Sequence, residues 1–307
     1  MRIFIKIQKN NYMMKTAVFF GNGINRIDSN NPQWIELLEN TFKYSHTPNT
    51  LRYEDCIVDK YRNGLSSKNQ GSIEFKYKQE IARKFDNFSS NDIYRKFITF
   101  PIADFITTNY DHSFEQALVE SGYELYDYDD SESRFSIHRF YCYKNENGDV
   151  KRIWHIHGDY KYPRSIMLGY EQYGGQLRKI GEYINGNYKL KGERICSIKE
   201  RMIEPFSIKS WIDLFFNFNV HFIGFGLPYD EIDMWWLLCK RQKMMLQHPY
   251  LSVSNRIIYH TKKSDGKELE RNHLLSTLSI ECKAYEIDDY KSLYMRICNA
   301  INSTVIT

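Results

Sequence analysis

Short apolar runs recur along the chain at wide intervals, and each has the length of a buried β-strand. They are rich in β-branched and aromatic residues, which favours strands over buried helical turns. The runs cover residues Thr16–Phe20, Ile102–Thr107, Ile153–His157, Val220–Gly224, Arg256–Tyr259 and Cys282–Ile287. Strands this far apart along a chain need long crossover connections, so the pattern predicts parallel pairing.

Helical patterns fill the intervals between these runs. Apolar residues recur there every three or four positions, and residues that commonly start helices precede several of the segments. The predicted helices cover residues 32–42, 114–120, 231–245 and 290–301. Alternation of strand and helix is typical of α/β proteins, so we predict a Rossmann-like, doubly wound and mostly parallel sheet.

Two polar segments exceed what a minimal sheet of this kind needs. Residues about 40–98 are rich in Lys, Tyr and Asn, and residues about 170–212 contain several glycines followed by a basic stretch. We interpret both as helical insertions that cap the sheet, because neither resembles a linker followed by a separate core. We therefore expect one domain over residues 1–307, with its core at about 16–290.

The charge and hydropathy patterns exclude several functional classes. The chain has 42 Lys and Arg against 38 Asp and Glu, and these residues are dispersed, which argues against direct nucleic-acid binding. The first residues reach Lys9 and Asn10 too soon to form the apolar part of a signal peptide. No apolar run is long enough to span a membrane. We expect a cytoplasmic protein without membrane contact.

Cysteines and aromatic residues complete the composition. The six cysteines stand at positions 56, 142, 196, 239, 282 and 298, without the close pairs of zinc or redox motifs, so we expect reduced thiols. Aromatic residues make up 16% of the chain. Most should pack in the core, and ligand stacking or subunit contacts are further roles open to them.

Two glycine turns follow predicted strands. Residues 21–26 read Gly-Asn-Gly-Ile-Asn-Arg, and residues 224–230 read Gly-Phe-Gly-Leu-Pro-Tyr-Asp. A turn of this kind lets the backbone approach a diphosphate, although a plain tight turn is the alternative interpretation. Arg26 occupies the place of the third glycine in the dehydrogenase fingerprint, which disfavours hydride transfer. Two such turns in one sheet could hold the two halves of a dinucleotide.

Polar residues stand where two other strands end. Asn109 can both donate to and accept from ribose hydroxyls or a water molecule, whereas Asp111 could bind a ligand or cap the following helix. His157 is the candidate base that titrates near neutral pH, and His155 is interpreted as a buried core residue. Positions 155, 157 and 159 share one face of an extended chain, but no further ligand completes a metal site, so we expect no metal.

These ordered motifs carry a resemblance. GNGIN, TTNYD, HG and GFGLPYDE resemble, over about residues 16–240, the sirtuin-like superfamily and in particular the bacterial sirtuin-like NAD hydrolases of antiphage defence. The resemblance implies that NAD is the substrate and that Asn109 and His157 are catalytic. The NAD-binding residues that it implies are Gly21, Asn22, Gly23, Asn25, Thr108, Asp111, Gly224, Gly226 and Leu227.

The resemblance also separates this chain from the zinc-bearing sirtuin deacylases. Those enzymes carry a four-cysteine zinc ribbon between the HG motif and the second glycine turn, whereas here only Cys196 lies in that interval. We therefore expect hydrolysis of NAD to ADP-ribose and nicotinamide, with a non-catalytic module that senses NAD or ADP-ribose as the alternative. Unregulated NAD loss would harm the host cell. The resemblance thus implies gating, through a homo-oligomer or a separate defence protein such as an ATPase.

Overall fold

A computed structural model describes residues 15–27, 49–63, 70–86, 88–202, 207–251, 253–263 and 267–306. The predicted helix over residues 32–42 lies outside these ranges. The described strands are β1 (Thr16–Phe20), β2 (Asp104–Thr107), β3 (Glu124–Asp129), β4 (Phe140–Lys144), β5 (Val150–His155), β6 (Lys189–Leu190), β7 (Glu193–Arg194), β8 (Asn219–Ile223), β9 (Ile257–Lys262) and β10 (Ile280–Tyr285). Every strand predicted from an apolar run is present, with shifts of a few residues at the ends.

One sheet of eight strands has the order β10-β9-β8-β1-β2-β5-β4-β3, and β6 pairs with β7 in a separate ribbon. The strands from β10 to β5 run parallel, and β4 and β3 add an antiparallel edge. This arrangement confirms the predicted mostly parallel α/β fold. The sequence analysis predicted neither edge strand. Almost every residue of β3 is exposed, so its sequence lacks an apolar run, whereas the buried part of β4 is only three residues long.

The described helices are α1 (Asn49–Asn63), α2 (Gln70–Arg83), α3 (Asp92–Ile98), α4 (Ser113–Glu120), α5 (Tyr170–Asn185), α6 (Ile198–Arg201), α7 (Leu214–Asn217), α8 (Ile232–Gln247), α9 (Lys267–Thr277) and α10 (Tyr290–Ile306). Both predicted insertions contain helices where they are described. Within the described residues, no helix combines the length and apolar character needed to cross a membrane. The assignment of the whole chain to one domain stays a prediction.

The central strand β1 is buried on both faces of the sheet. Ala17 and Phe19 belong to one core cluster, together with side chains of α5, α7 and α8. Val18 and Phe20 belong to a second cluster, together with side chains of α3, α4 and α10. Alternate side chains of a strand point to opposite faces, which explains why a continuous apolar run marks a strand covered by helices on both sides.

A third core cluster joins the first insertion to the strand ends. Tyr53 of α1 and Phe85, just beyond α2, pack in it with Tyr110, which follows β2, and with Leu168. The described helices of this insertion therefore cover part of the edge at which the parallel strands end.

Candidate functional site

A cavity of about 630 Å³ lies at the carboxyl ends of the parallel strands. This is the edge at which open α/β sheets bind ligands, and the volume lies in the range of small-molecule and cofactor sites. The predicted site residues that line it are Asn22, Gly23, Thr108, Asn109, Asp111, His157, Gly224 and Gly226. The fold thus brings the ends of four separate strands to one cavity.

The two glycine turns contact each other directly. The Gly23 amide donates to the Gly224 carbonyl at 2.8 Å, and the Gly21 amide donates to the Ile223 carbonyl at 3.1 Å. A Cβ atom at Gly23 would lie 2.6 Å from the Gly224 oxygen, and Gly224 has a left-handed backbone with φ of +63°. The contact between the turns therefore requires these glycines. At Gly226, by contrast, a Cβ atom would meet nothing within 4 Å.

Asp111 is shared between the cavity wall and the start of α4. Its Oδ1 accepts from the Ser113 amide at 3.0 Å, and its Oδ2 accepts from Asn25 Nδ2 at 2.7 Å. Burial raises the pKa of Asp111, and the hydrogen bonds from Ser113 and Asn25 offset part of that rise. The N-cap position of α4 belongs to His112, so the prediction of Asp111 as the N-cap residue is wrong by one position, although its carboxylate accepts from the first amide of the helix. Asp111 also lines the cavity, and its contact with a ligand stays a prediction.

Asn109 is buried and held through both its backbone and its side chain. Its carbonyl contacts His155 Nδ1 at 3.1 Å, and its Nδ2 donates to the Tyr94 hydroxyl at 3.4 Å. His155 Nε2 lies 2.6 Å from Glu115 Oε1, and the ring is 1% exposed. The prediction that His155 is a buried core residue is confirmed. Because Asn109 lines the cavity, the contact between His155 and Asn109 connects the buried core to the cavity wall.

His157 lies between two carboxylates. Its Nε2 is 2.9 Å from Asp233 Oδ2, and its Nδ1 is 3.5 Å from Glu231 Oε2. Burial alone would lower the pKa of His157, but Asp233 and Glu231 outweigh burial and raise it to about 9. The imidazole is therefore mostly protonated at neutral pH. This differs from the expectation of a histidine that titrates near neutrality.

The Glu231 carboxylate, beside His157, titrates near neutral pH. Burial raises its pKa to about 7, with a further rise from Asp233 and a partial offset from His157. The Tyr173 hydroxyl donates to Glu231 Oε2 at 3.0 Å. Sequence reasoning missed both carboxylates, although they directly follow the second glycine turn, where a strand-to-helix connection brings acidic residues to the ligand edge.

Comparison with known families adds evidence independent of this geometry. The model of the SIR2-like domain family matches residues 103–282, more than half of the chain. The chain belongs to the SIR2-like family. Members of this family are NAD-dependent enzymes. The match spans Asn109, His157 and the second glycine turn, whereas the first glycine turn precedes it. A search of curated proteins finds no match.

Among the described residues of this SIR2-like domain, two clusters of histidine and carboxylate side chains could hold a cation. We call them the histidine–carboxylate groups. One contains His112, Glu115 and His155, and the other contains His157, Glu231 and Asp233. The expectation that positions 155, 157 and 159 share one face is wrong, because β5 ends at His155 and the chain then bends. No cysteine belongs to either group, and all six cysteines are free thiols. The absence of a metal stays a prediction.

Three residues assigned to NAD binding by resemblance do not line the cavity of this SIR2-like domain: Gly21, Asn25 and Leu227. Gly21 packs against the second glycine turn, and Asn25 is fully buried behind the cavity wall. Leu227 packs in the core with a left-handed backbone, at φ of +44°.

Aromatic side chains also line the cavity. Among the described residues these are Phe85, Tyr110, Tyr173, Phe225, Tyr259, Tyr290 and Tyr294.

Proposed function

We propose that the protein hydrolyses the nicotinamide N-glycosidic bond of NAD and releases ADP-ribose and nicotinamide. The observation that carries this proposal is that Asn109 and His157 line the same cavity as the two glycine turns. An amide and an imidazole beside a cavity of this size supply the polar groups that hydrolysis needs. The NAD-dependent character of SIR2-like enzymes supports NAD as the substrate.

Cleavage of this bond needs little help from a general acid, because the leaving group does not have to be protonated. The bond between ribose C1′ and the nicotinamide nitrogen breaks with its electron pair going to that nitrogen, which is already cationic. The ribose then carries positive charge, and a water oxygen forms the new bond to C1′. Asn109 orients the ribose hydroxyls and this water. The water must lose a proton, so the site needs a proton acceptor.

The pair of His157 and Glu231 supplies that acceptor. Between about pH 7 and pH 9 the pair holds one proton, because the two pKa values stand at about 7 and about 9. Moving the proton on His157 Nδ1 to Glu231 leaves Nδ1 able to accept from the water, directly or through a ribose hydroxyl. Asp233 holds the opposite ring nitrogen at 2.9 Å. Such base catalysis contributes roughly 10²–10⁴-fold to the rate.

The proposed biological role is depletion of NAD as an antiphage effector in the cytoplasm, in line with the defence enzymes whose motifs the chain resembles. An enzyme with this activity needs control, because NAD loss would stop the host cell's own metabolism. We propose that a homo-oligomer or a separate defence-system protein, such as an ATPase, provides that control. The proposed function involves binding to neither nucleic acid nor a membrane.

The test is incubation of the purified full-length protein with NAD and separation of the products by chromatography. A range of protein concentrations is used, because assembly is one of the expected gates. Wild type should release nicotinamide and ADP-ribose, and His157→Ala should leave NAD intact. His273→Ala is the matched control, since His273 is exposed and does not line the cavity.

Two results would contradict the proposal. Equal loss of NAD with wild type and His157→Ala would remove His157 from the reaction. A thermal shift on addition of NAD without any product, at every protein concentration, would instead favour the alternative of a sensing module.

A further inference from the structure

A chain of buried hydrogen bonds runs from Asp111 to Asn109 through two residues that lie outside the cavity wall. Asp111 Oδ2 accepts from the amide nitrogen of Asn25 at 2.7 Å, and this donation favours the charged form of the carboxylate. The same Asn25 nitrogen lies 3.0 Å from Asn22 Oδ1. The nitrogen end of Asn25 therefore faces these two oxygens, and its oxygen end faces the other way.

Tyr94 continues this chain. The Asn25 oxygen accepts from the Tyr94 hydroxyl at 2.6 Å, which commits the only proton of that hydroxyl. The hydroxyl oxygen can then only accept from its next neighbour. That neighbour is Asn109, whose Nδ2 lies 3.4 Å away. The order of donors and acceptors is thus determined from Asp111 to Asn109.

The far end of the chain is left with an unused acceptor. Asn109 is 6% exposed, and its Oδ1 is buried without a hydrogen-bond partner among the described residues. A buried oxygen without a partner is costly, so its place beside the cavity indicates that a ligand hydroxyl or a water satisfies it. Reversal of the amide would put its nitrogen there instead.

The surrounding residues hold the Tyr94 side chain in one position. Tyr94 lies on α3, is fully buried, and its ring contacts Phe20 and Phe114 at centroid distances of 5.5 and 5.7 Å. Asn91 caps the start of the same helix by accepting from the Ile93 and Tyr94 amides. A ring packed in this way holds its hydroxyl in one place.

We propose that Tyr94 and Asn25 are positioning residues that determine which end of the Asn109 amide serves the substrate. They keep the nitrogen of Asn109 engaged with protein and leave its oxygen as the acceptor for a ribose hydroxyl or the attacking water. The functional part of this inference rests on the proposed NAD hydrolysis, whereas the orientation of the amide can be tested without it.

The test compares Tyr94→Phe with the matched control Tyr183→Phe. Tyr183 is also fully buried and donates to Asp213 Oδ2 at 2.7 Å, but Asp213, unlike Asn109, does not line the cavity. Both variants remove a buried tyrosine hydroxyl together with its hydrogen bonds. We expect Tyr94→Phe to lower kcat for NAD by roughly tenfold or more with KM within about twofold, because the amide is no longer held in its productive orientation. Tyr183→Phe should keep kcat.

Two further measurements complete the test. Asn25→Ala should lower kcat in the same way, since it frees the Tyr94 proton to face Asn109. Neutron diffraction, which distinguishes nitrogen from oxygen, should show the Asn109 amide in one orientation in wild type and reversed or mixed in Tyr94→Phe.

The outcomes separate this inference from the proposed function. An unchanged kcat in Tyr94→Phe, or a reduced kcat with Asn109 in its wild-type orientation, would overturn the positioning role. Wild-type protein that never cleaves NAD would overturn the proposed function alone. In that case the diffraction result decides this inference, with a reversed or mixed amide supporting it and an unchanged amide overturning it.

Discussion

The imidazole of His157 lies 2.9 Å, through its Nε2, from the buried carboxylate of Asp233. The two residues are 76 positions apart along the chain, and both are almost completely buried. The contact fixes the ring and leaves Nδ1, on the Glu231 side, as the nitrogen to which the proposed mechanism assigns proton transfer. It resembles in its logic the carboxylate that orients the histidine of a Ser-His-Asp triad.

The first prediction concerns this contact. Asp233→Asn removes the charge that most strongly favours the imidazolium, so the pKa of His157 should fall from about 9 towards its ordinary value. We expect kcat for NAD to fall by up to roughly 10⁴-fold, as when the orienting carboxylate of a triad is replaced. Steady-state kinetics and an NMR titration of His157 measure the two effects.

Asp213→Asn is the control for this change. Asp213 is a fully buried carboxylate paired with Arg201, away from the cavity wall. Its replacement should lower the free energy of unfolding while leaving kcat close to wild type. An equal loss of kcat in both variants would mean that Asp233 acts only through stability.

The second prediction is a pH profile. In the proposed mechanism Glu231 must be ionised to take the proton from His157, and its pKa is about 7, so kcat/KM should rise as pH increases through about 7. Glu231→Gln should have a low kcat/KM and lack this rising limb, because the amide cannot titrate. The measurement is kcat/KM over about pH 5 to 10. A limb of the same midpoint in Glu231→Gln would assign the titration to another group.

The third prediction links the same site to stability. The pKa of His157 is raised from 6.5 to about 9 in the folded protein, so the folded state binds the proton more tightly than the unfolded state. This contribution is complete below about pH 6.5 and is lost as pH rises through about 9. Denaturant unfolding should therefore show stability falling across that window in wild type, and less so in His157→Gln. Exposed His273→Gln, the control, should follow wild type; identical slopes in all three proteins would contradict the assignment.

The fourth prediction separates the glycines by their surroundings. Gly23→Ala should destabilise the fold by about 1–3 kcal/mol, because the new methyl group would press on the Gly224 carbonyl and the Tyr294 hydroxyl. Gly226→Ala should change stability by no more than about 0.5 kcal/mol. Because Gly226 lines the cavity, its methyl group should instead raise KM for NAD. Thermal unfolding and kinetics together check the pair, and equal destabilisation by both would contradict the contact between the turns.

The fifth prediction tests the expected absence of a metal requirement. Extended dialysis against EDTA should leave the rate of NAD hydrolysis unchanged, because the proposed reaction uses only protein side chains, namely those of Asn109, His157, Glu231 and Asp233. Elemental analysis of the dialysed protein shows whether any metal is retained at either histidine–carboxylate group. Loss of activity that Zn²⁺ or Mn²⁺ restores would contradict the metal-free mechanism.

The sequence was informative about the ligand edge because the relevant signals are local. Asn109, His157 and the glycine turns each directly follow an apolar run, and parallel strands carry their carboxyl ends to one edge of a sheet. Their meeting at one cavity follows from this rule. The exposed edge strand β3 carried no comparable signal, since its side chains are mostly in solvent.

The sequence alone determined the α/β class, the parallel strands of the central sheet and the residues that stand at their ends, because burial of a strand between helices leaves a continuous apolar run. Only the tertiary structure decided which polar groups meet. Asp233 and Glu231 at His157, and Tyr94 and Asn25 behind Asn109, come from other elements, and no local pattern specifies such partners. Buried charges and amides need hydrogen-bond partners. The helices that cross over between strands determine which residues can be those partners.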